Sequence, residues 1–202
     1  MNKIKIAVLV SGGGTNLQAL IDAEKSGIIN SGKISLVLSD NANAYALTRA
    51  NNAGIKTKVV LLKNCENKSD FEQKIINELK DNNIELIVLA GFMKILSKNF
   101  TNTFKDRIIN VHPSLIPSFC GEGFYGLKVH EAALEKGVKV TGATVHIVNE
   151  IPDGGKILVQ KAVDVLEGDT PEILQKRVME QAEWIILPKA TEILSKKLLG
   201  KE

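Results

Sequence analysis

The sequence has few aromatic residues, no dense cluster of basic residues and no long apolar run. Aromatic side chains make up 4% of its 202 residues, and the formal net charge is only +3. The chain therefore lacks the basic and aromatic surface that nucleic-acid-binding proteins use. No apolar run reaches the ~18 residues that suggest a membrane-spanning helix. From these absences we expect neither a nucleic-acid partner nor a membrane partner.

Cysteine is also scarce, because the chain contains only Cys65 and Cys120. Neither residue belongs to a Cys-x-x-Cys or Cys/His pattern, so we expect free thiols and no bound metal. The first residues lead directly into a strand pattern, without the apolar core and cleavage site of a signal peptide. These features together predict a cytoplasmic protein with reduced thiols.

The apolar fraction of 44% is sufficient for a large core. We predict a single domain made of an N-terminal half, residues 1–105, and a C-terminal half, residues 106–202. Apolar runs alternate with helical patterns as far as residue 90, which is typical of a parallel sheet with crossover helices. Two later β-rich runs, residues 140–148 and 156–163, follow each other so closely that we expect an antiparallel pair. The predicted class is α/β.

The most informative stretch is residues 108–117, which read Ile-Ile-Asn-Val-His-Pro-Ser-Leu-Ile-Pro. A buried strand here delivers Asn110 and His112 to its carboxyl end, where α/β proteins bind ligands. Asp153 stands on a tight turn after a later β-rich run. A lone histidine at a strand end is more often a packed residue than a catalyst. An amide, an imidazole and a carboxylate together can stabilise an oxyanion and move a proton.

A second candidate site is the glycine loop, which we define as Gly12, Gly13 and Gly14, followed by Thr15 and Asn16. It joins the first strand to a helical pattern. Glycines allow a ligand close to the backbone, and the amides of a helix N-terminus favour an anion such as phosphate. A tight turn that needs glycine only for its dihedral angles is the alternative. The loop does not match a dinucleotide fingerprint or a Walker loop.

Other stretches leave two interpretations open. Residues 90–97 are either core or the lining of a site for a flat heteroaromatic ligand. Residues 113–126 predict a long loop of the kind that is often functional, and its Cys120 is a weak candidate for a nucleophile paired with His112. His146 is expected to be a packed strand histidine. Pro188 is expected to kink or interrupt the last helix.

Four motifs stand in order along the chain: Ser11–Leu17, Ala90–Leu96, Asn110–Pro117 and Asp153–Gly155. Together they closely resemble the folate-dependent formyltransferases and, among them, the phosphoribosylglycinamide formyltransferase family. The resemblance covers nearly the whole chain. It implies a Rossmann-like, mostly parallel twisted sheet with helices on both faces. It also implies direct transfer of a formyl group from 10-formyltetrahydrofolate to the amine of glycinamide ribonucleotide in purine biosynthesis, through a tetrahedral intermediate and without a metal.

The resemblance also implies roles for individual residues. The matching catalytic residues are Asn110, His112 and Asp153. Those matching the binding site for glycinamide ribonucleotide and its phosphate are Gly13, Gly14, Thr15, Asn16 and Glu183. Those matching the folate site are Lys68, Met93, Lys94, Ile95, Leu96 and Asn110. Lys94 stands where many members carry arginine. The implied partners are two small molecules, and the chain would act as a monomer or a homodimer.

Three alternatives remain open. A 10-formyltetrahydrofolate hydrolase or another formyltransferase, such as a methionyl-tRNA formyltransferase, would share the residues around Asn110 and Asp153. A non-catalytic Rossmann-type nucleotide-binding module would explain the glycine loop, but it would leave Asn110, His112 and Asp153 without a role.

Overall fold

The computed structural model describes residues 2–200, which form one seven-stranded sheet with helices on both faces. The strands are β1 Ile4–Val10, β2 Gly32–Ser39, β3 Lys56–Val59, β4 Leu86–Leu89, β5 Ile108–His112, β6 Val140–Ile147 and β7 Ile157–Asp164. The α-helices are α1 Thr15–Lys25, α2 Tyr45–Asn52, α3 Lys68–Asp81, α4 Lys98–Thr103, α5 Leu127–Lys136, α6 Pro171–Val178 and α7 Trp184–Leu198.

The strand order is β3-β2-β1-β4-β5-β6-β7. The pairs from β3 to β5 are parallel, whereas β6 runs antiparallel to both β5 and β7. This arrangement confirms the predicted α/β class, the mostly parallel sheet and the antiparallel pair near the C-terminus. The sheet takes strands from both predicted halves of the chain, and the division at residue 105 stays a prediction.

Strand β1 lies in the centre of the sheet, and its side chains alternate between two cores. Ile6 and Val8 face the core beneath α1, α2, α6 and α7, whereas Ala7 and Leu9 face the core beneath α3 and α4. All four side chains are fully buried. Burying an aliphatic side chain of this size contributes roughly 1.5–3 kcal/mol. Burial on both faces therefore holds β1 in place, and the glycine loop, which follows β1 directly, is held with it.

The N-cap of α3 is Asn67, whose Oδ1 accepts a hydrogen bond of 3.0 Å from the Asp70 N–H. One local prediction, an interruption of the last helix at Pro188, was wrong. Pro188 does not interrupt α7, and the irregularity lies earlier, in a π-helical turn at Met179–Glu183. Proline cannot donate to the carbonyl four residues before it. That carbonyl belongs to Trp184, at the start of α7, so the missing bond falls beside the π-helical turn.

No helix within residues 2–200 combines the length and the apolar character needed to cross a membrane.

Candidate active site

The site lies at the carboxyl ends of the central strands. Asn110 on β5 pairs with Leu89 on β4 on one side and with His146 on β6 on the other. The strand order reverses between β1 and β4, and ligands of open α/β sheets bind at such a switch point. The topology therefore delivers the polar residues of β5 and β6 to the position where this class of fold binds ligands.

Four side chains form what we call the strand-end cluster: Asn110, His112, His146 and Asp153. Asp153 Oδ2 lies 3.4 Å from His112 Nδ1, and Asp153 Oδ1 lies 3.4 Å from His146 Nε2. Asn110 Nδ2 lies 3.4 Å from the same His146 nitrogen. The structure thus brings together the three residues predicted from the sequence, and it adds His146 between two of them.

The turn that carries Asp153 is held from two sides. Asp153 itself has a positive φ of 54°, and the backbone N–H of Gly121 donates a 2.9 Å hydrogen bond to its Oδ2. A side chain at Gly155 would collide with the carbonyl of Ile147 on β6. The close approach of the turn to β6 therefore requires glycine, and it positions the carboxylate against the two histidines.

Burial and charge act in opposite directions on the groups of the cluster. Burial lowers the pKa of His112, and the neighbouring Asp153 and the Phe119 carbonyl only partly offset this effect. Burial raises the pKa of Asp153, but His146, His112 and the Gly121 N–H together bring it below its usual value. Asp153 is thus an ionised carboxylate at neutral pH. His112 Nε2 lies 2.8 Å from the carbonyl of Phe119, which can only accept, so this nitrogen carries a proton.

A pocket of about 720 Å³ opens beside the cluster, which is within the usual range for a small-molecule site. Its lining includes Asn110, His146 and Asp153 together with the segment Met93, Lys94, Ile95 and Leu96 that was predicted to contact folate. Lys68 is not among the lining residues. Its side chain is 60% exposed, and its Nζ lies 4.0 Å from a carboxylate oxygen of Glu72.

The glycine loop lies on the same edge of the sheet. Gly14 has a φ of 72°, and a Cβ there would lie 2.6 Å from the Cβ of Ala46. A Cβ on Gly12 or Gly13 would meet nothing within 4 Å. The fold thus needs only the third glycine, and the first two leave open space for a ligand. The N–H of Met93 donates to Ser11 Oγ at 2.9 Å, which ties this loop to the pocket.

Glu183 faces the start of α1. Its buried carboxylate accepts a 2.7 Å hydrogen bond from Asn16 Nδ2, while Asn16 Oδ1 is buried without a protein partner. Burial raises the pKa of Glu183, and the bond from Asn16 opposes the shift. Thr15 Oγ1 lies 3.9 Å from the sulfur of Met179, at the other end of the same π-helical turn. The turn therefore brings Glu183 to the glycine loop.

The structure speaks against Cys120 as a nucleophile. Its Sγ donates to the Pro117 carbonyl at 3.3 Å, and burial, followed by the charge of Asp153, raises the pKa of the thiol. A thiol with a raised pKa is a poor nucleophile. Between residues 2 and 200, no group of three or more histidine, cysteine, aspartate or glutamate side chains is arranged to hold a metal ion.

His146 is the residue of the strand-end cluster that sequence reasoning missed. The available signal was an imidazole near the carboxyl end of a β-rich run, as for His112. Its position beside Asn110 depends on the register between β5 and β6, which a single sequence does not specify.

A Rossmann-like sheet with an Asn–His–Asp cluster beside an apolar pocket is the arrangement of an α/β protein that can carry out acid–base chemistry on a small-molecule ligand. The model of the formyl transferase family matches residues 4–191. The chain belongs to this family.

Proteins similar to this chain agree with this assignment. The chain is 45% identical to a phosphoribosylglycinamide formyltransferase from Haemophilus influenzae, over 91% of this chain and 84% of that protein. It is 44% identical to the trifunctional purine biosynthetic protein adenosine-3 of Gallus gallus, over 96% of this chain but only 19% of that protein. The chain thus spans about a fifth of the length of the trifunctional relatives.

Solved structures of similar proteins also agree with the assignment to the formyl transferase family. Glycinamide ribonucleotide transformylase 1 from Symbiobacterium toebii superposes with a TM-score of 0.90 at 39% identity, covering 96% of this chain and 89% of that one. Phosphoribosylglycinamide formyltransferase from Brucella melitensis superposes with a TM-score of 0.88 at 39% identity, covering 96% of both chains.

Proposed function

We propose that this chain transfers the formyl group of 10-formyltetrahydrofolate to the amine of glycinamide ribonucleotide, in de novo purine biosynthesis. The observation that carries the proposal is the convergence of Asn110, His112 and Asp153 beside an apolar pocket and next to the glycine loop. The names of the relatives support the same reaction. Both substrates are small molecules, and the chain would act as a monomer or a homodimer.

The glycine loop is the proposed site for the phosphate of glycinamide ribonucleotide. The open space beyond Gly13 and the N–H groups at the start of α1 suit an anion. No acidic residue belongs to the first turn of α1 itself, and the Glu183 carboxylate that faces this turn is hydrogen-bonded to Asn16 Nδ2. Thr15, Asn16 and Glu183 supply polar atoms for the remainder of the substrate, and the buried Asn16 Oδ1 lacks a protein partner.

The pocket is the proposed folate site. Met93, Ile95 and Leu96 offer apolar surface for a flat heteroaromatic ring, and Asn110 lies at its inner end. Lys94 Nζ lies 3.7 Å from an Asp40 carboxylate oxygen, so its ammonium is already partly neutralised. Lys68 lies outside the lining, and in this proposal it meets only the acidic tail of the folate beyond the pocket.

The reaction follows from these positions. The amine nitrogen attacks the formyl carbon, a C–N bond forms, and the carbonyl electrons move to the oxygen. Asn110 donates a hydrogen bond to this developing oxyanion, a contact worth roughly 3–4 kcal/mol in hydrolases. His112 takes the proton of the attacking nitrogen and returns it to the folate nitrogen as that C–N bond breaks. Asp153 orients His112 and stabilises its charged form.

His112 is held by the long loop before it can act. Its Nε2 hydrogen is donated to the Phe119 carbonyl, and Asp153 accepts the Gly121 N–H from the same loop. The proposed proton transfer therefore requires His112 to give up its bond to Phe119 and to carry its ring proton on Nδ1, toward Asp153, so that Nε2 is free to accept the proton of the substrate amine. No covalent enzyme intermediate and no metal take part in this scheme.

The test is a formyl-transfer assay with 10-formyltetrahydrofolate and glycinamide ribonucleotide, followed by the absorbance change on deformylation. We expect deformylation that depends on the amine and is abolished in His112→Ala, while both substrates still bind. Unchanged turnover in His112→Ala would exclude the mechanism. Deformylation without the amine would indicate a hydrolase. Tight NAD binding without any response to folate would indicate a nucleotide-binding module.

A further inference from the structure

We propose that Tyr125 and Lys128 form a second wall of the folate pocket, which binds the p-aminobenzoyl ring of the donor and one carboxylate of its glutamate tail. Neither residue lies in the four motifs that carry the family resemblance, and neither takes part in the proposed reaction. The inference rests on the proposed function, because it adds contacts to the same donor. The two residues would decide which donors the pocket accepts.

Tyr125 lies where the long loop enters α5, and its position is fixed from both sides. Gly126 follows it with φ 55° and ψ −131°, a backbone conformation that only glycine adopts readily. Upstream, the rings of Phe119 and Phe124 meet edge to face with their centroids 6.3 Å apart, and Phe119 also packs against the core. The ring of Tyr125 therefore has a defined place in the wall of the pocket.

The Tyr125 ring and the Lys128 ammonium are held together. Lys128 Nζ lies 4.7 Å from the centroid of the ring and donates a 3.2 Å hydrogen bond to Tyr125 Oη. A cation near the face of a tyrosine ring is attracted by the negative charge of that face. Both residues line the pocket. Tyr125 is still 50% exposed, so much of its ring surface is available to a ligand.

Other large apolar side chains around the pocket are exposed as well. Met93, Ile95 and Ile151 line it, and each is more than half exposed. Exposed apolar groups that gather in one place mark binding grooves, whereas scattered ones need no explanation. Together with Tyr125 they come from three separate segments of the chain. A bound aromatic ligand would therefore be enclosed from several sides.

The chemistry of the donor indicates which of its parts reaches Tyr125. The formyl group is carried by N10, which stands between the heteroaromatic ring and the p-aminobenzoyl ring. When the formyl carbon lies at Asn110, the two ring systems must extend from N10 in different directions. The segment 93–96 is the proposed contact of the heteroaromatic ring, so the p-aminobenzoyl ring is left for Tyr125. Offset stacking is the arrangement that such a pair of rings prefers.

The charge of Lys128 suits the tail that follows this ring. Lys94, also in the lining, has its Nζ 3.7 Å from an Asp40 carboxylate oxygen. Lys128 takes part in no ion pair between residues 2 and 200, and its Nζ contacts Tyr125 instead. Glu122 lines the same pocket but is exposed, so solvent screens its charge. The tail has two carboxylates, and Lys128 leaves the second for the contact proposed outside the pocket.

Equilibrium binding tests the two contacts without turnover. Calorimetry on the full-length chain, without glycinamide ribonucleotide, compares 10-formyltetrahydrofolate with 10-formyltetrahydropteroate, which lacks the glutamate. We expect Tyr125→Leu to raise the Kd of both donors about tenfold, and Tyr125→Phe, which keeps the ring, to raise it less than about threefold. At low ionic strength, Lys128→Met should raise the Kd of the folate about fivefold and that of the pteroate less than about twofold.

The chain offers a matched control for each change. Tyr45, the other tyrosine, is also exposed at the start of a helix, and the Arg49 guanidinium lies 5.0 Å from its ring centroid. Tyr45 is not among the lining residues of the pocket, so Tyr45→Leu should leave both Kd values unchanged. Lys136 lies in the last turn of α5, so Lys136→Met removes the same charge at the opposite end of the helix from Lys128.

Steady-state kinetics give an independent measurement. The contact with the p-aminobenzoyl ring is the same before and during formyl transfer, so it contributes equally to the ground state and the transition state. We therefore expect Tyr125→Leu to raise the KM of the donor about tenfold and to change kcat by less than about threefold. A loss confined to kcat would contradict the inference, because Tyr125 would then act on the reacting atoms.

Three binding results would overturn the proposal. The first is an unchanged Kd in Tyr125→Leu, with thermal unfolding showing that the variant folds. The second is an equal loss of affinity in Tyr45→Leu or Lys136→Met. The third is an equal effect of Lys128→Met on both donors, because Lys128 would then not meet the tail. A wild-type chain that binds neither donor would refute the proposed folate site itself, whereas one that binds both without formyl transfer would refute only the reaction.

Discussion

The glycine loop and the strand-end cluster occupy the same edge of the sheet, but backbone groups form the loop site whereas titratable side chains form the cluster. The loop offers backbone groups and open space, and its one buried acid, Glu183, lies behind Asn16. The cluster offers two buried histidines and a carboxylate whose charges depend on one another. A backbone site can bind a fixed charge at any pH. A cluster of titrating side chains can move protons, but it makes function and stability sensitive to acid.

Among changes that keep His112 in place, the largest effect should come from Asp153→Asn. The amide cannot stabilise a positive His112, so we expect kcat to fall by about 10²–10⁴-fold, as in other sites where an acid orients a histidine. The neighbouring carboxylate raises the pKa of His112, so its loss should move the acid limb of the pH–rate profile to lower pH. Steady-state kinetics from pH 5 to 9 would measure both changes.

Asp169→Asn is the matched control for this change. Asp169 is also a buried aspartate with a charged partner, Arg177, but it lies at the start of α6 and away from the cluster. We expect Asp169→Asn to lower the melting temperature without changing kcat. An unaltered pH profile in Asp153→Asn, or an equal loss of kcat in Asp169→Asn, would contradict the proposed role of Asp153.

A second effect concerns acid stability. His130 on α5 is fully buried, neither ring nitrogen has a hydrogen-bond partner, and burial followed by the nearby His112 lowers its pKa to about 4. The unfolded chain therefore binds more protons between pH 6.5 and pH 4, so stability falls as pH decreases through this window. The expected loss is at most about 3 kcal/mol. Urea unfolding at pH 7 and pH 4.5 would measure it.

His130→Phe keeps an apolar ring and removes the titration. We expect the variant to lose less stability than the wild type between pH 7 and pH 4.5. A pH dependence identical to that of the wild type would show that other groups cause the acid sensitivity. The lowered pKa of Asp153 also removes stability in acid and remains in both proteins, so the difference between them isolates His130.

The contrast between the two regions also explains what could be predicted from sequence. The order of apolar and helical patterns was sufficient to predict the α/β class. Local motifs were sufficient to select Gly14, Asn110 and Asp153 as candidate site residues. His146 was interpreted as a packed histidine because its neighbour depends on the register of β5 against β6, which is a property of two strands. The π-helical turn before α7 was missed because Pro188 suggests a break at its own position, whereas the free carbonyl lies four residues earlier.

The smallest effects should come from alanine substitutions in the glycine loop, which distinguish a glycine needed for ligand binding from one needed for folding. Gly13→Ala places a methyl group in open space, so we expect unchanged stability but a KM for glycinamide ribonucleotide raised about tenfold, because the methyl group occupies the proposed phosphate position. Gly14→Ala meets Ala46 at a positive φ and should cost about 1–3 kcal/mol of stability. Thermal unfolding and steady-state kinetics on both variants provide the comparison. If Gly13→Ala left KM unchanged, the loop would be a turn that needs glycine only at its third position, and the phosphate would have to bind elsewhere on this edge of the sheet.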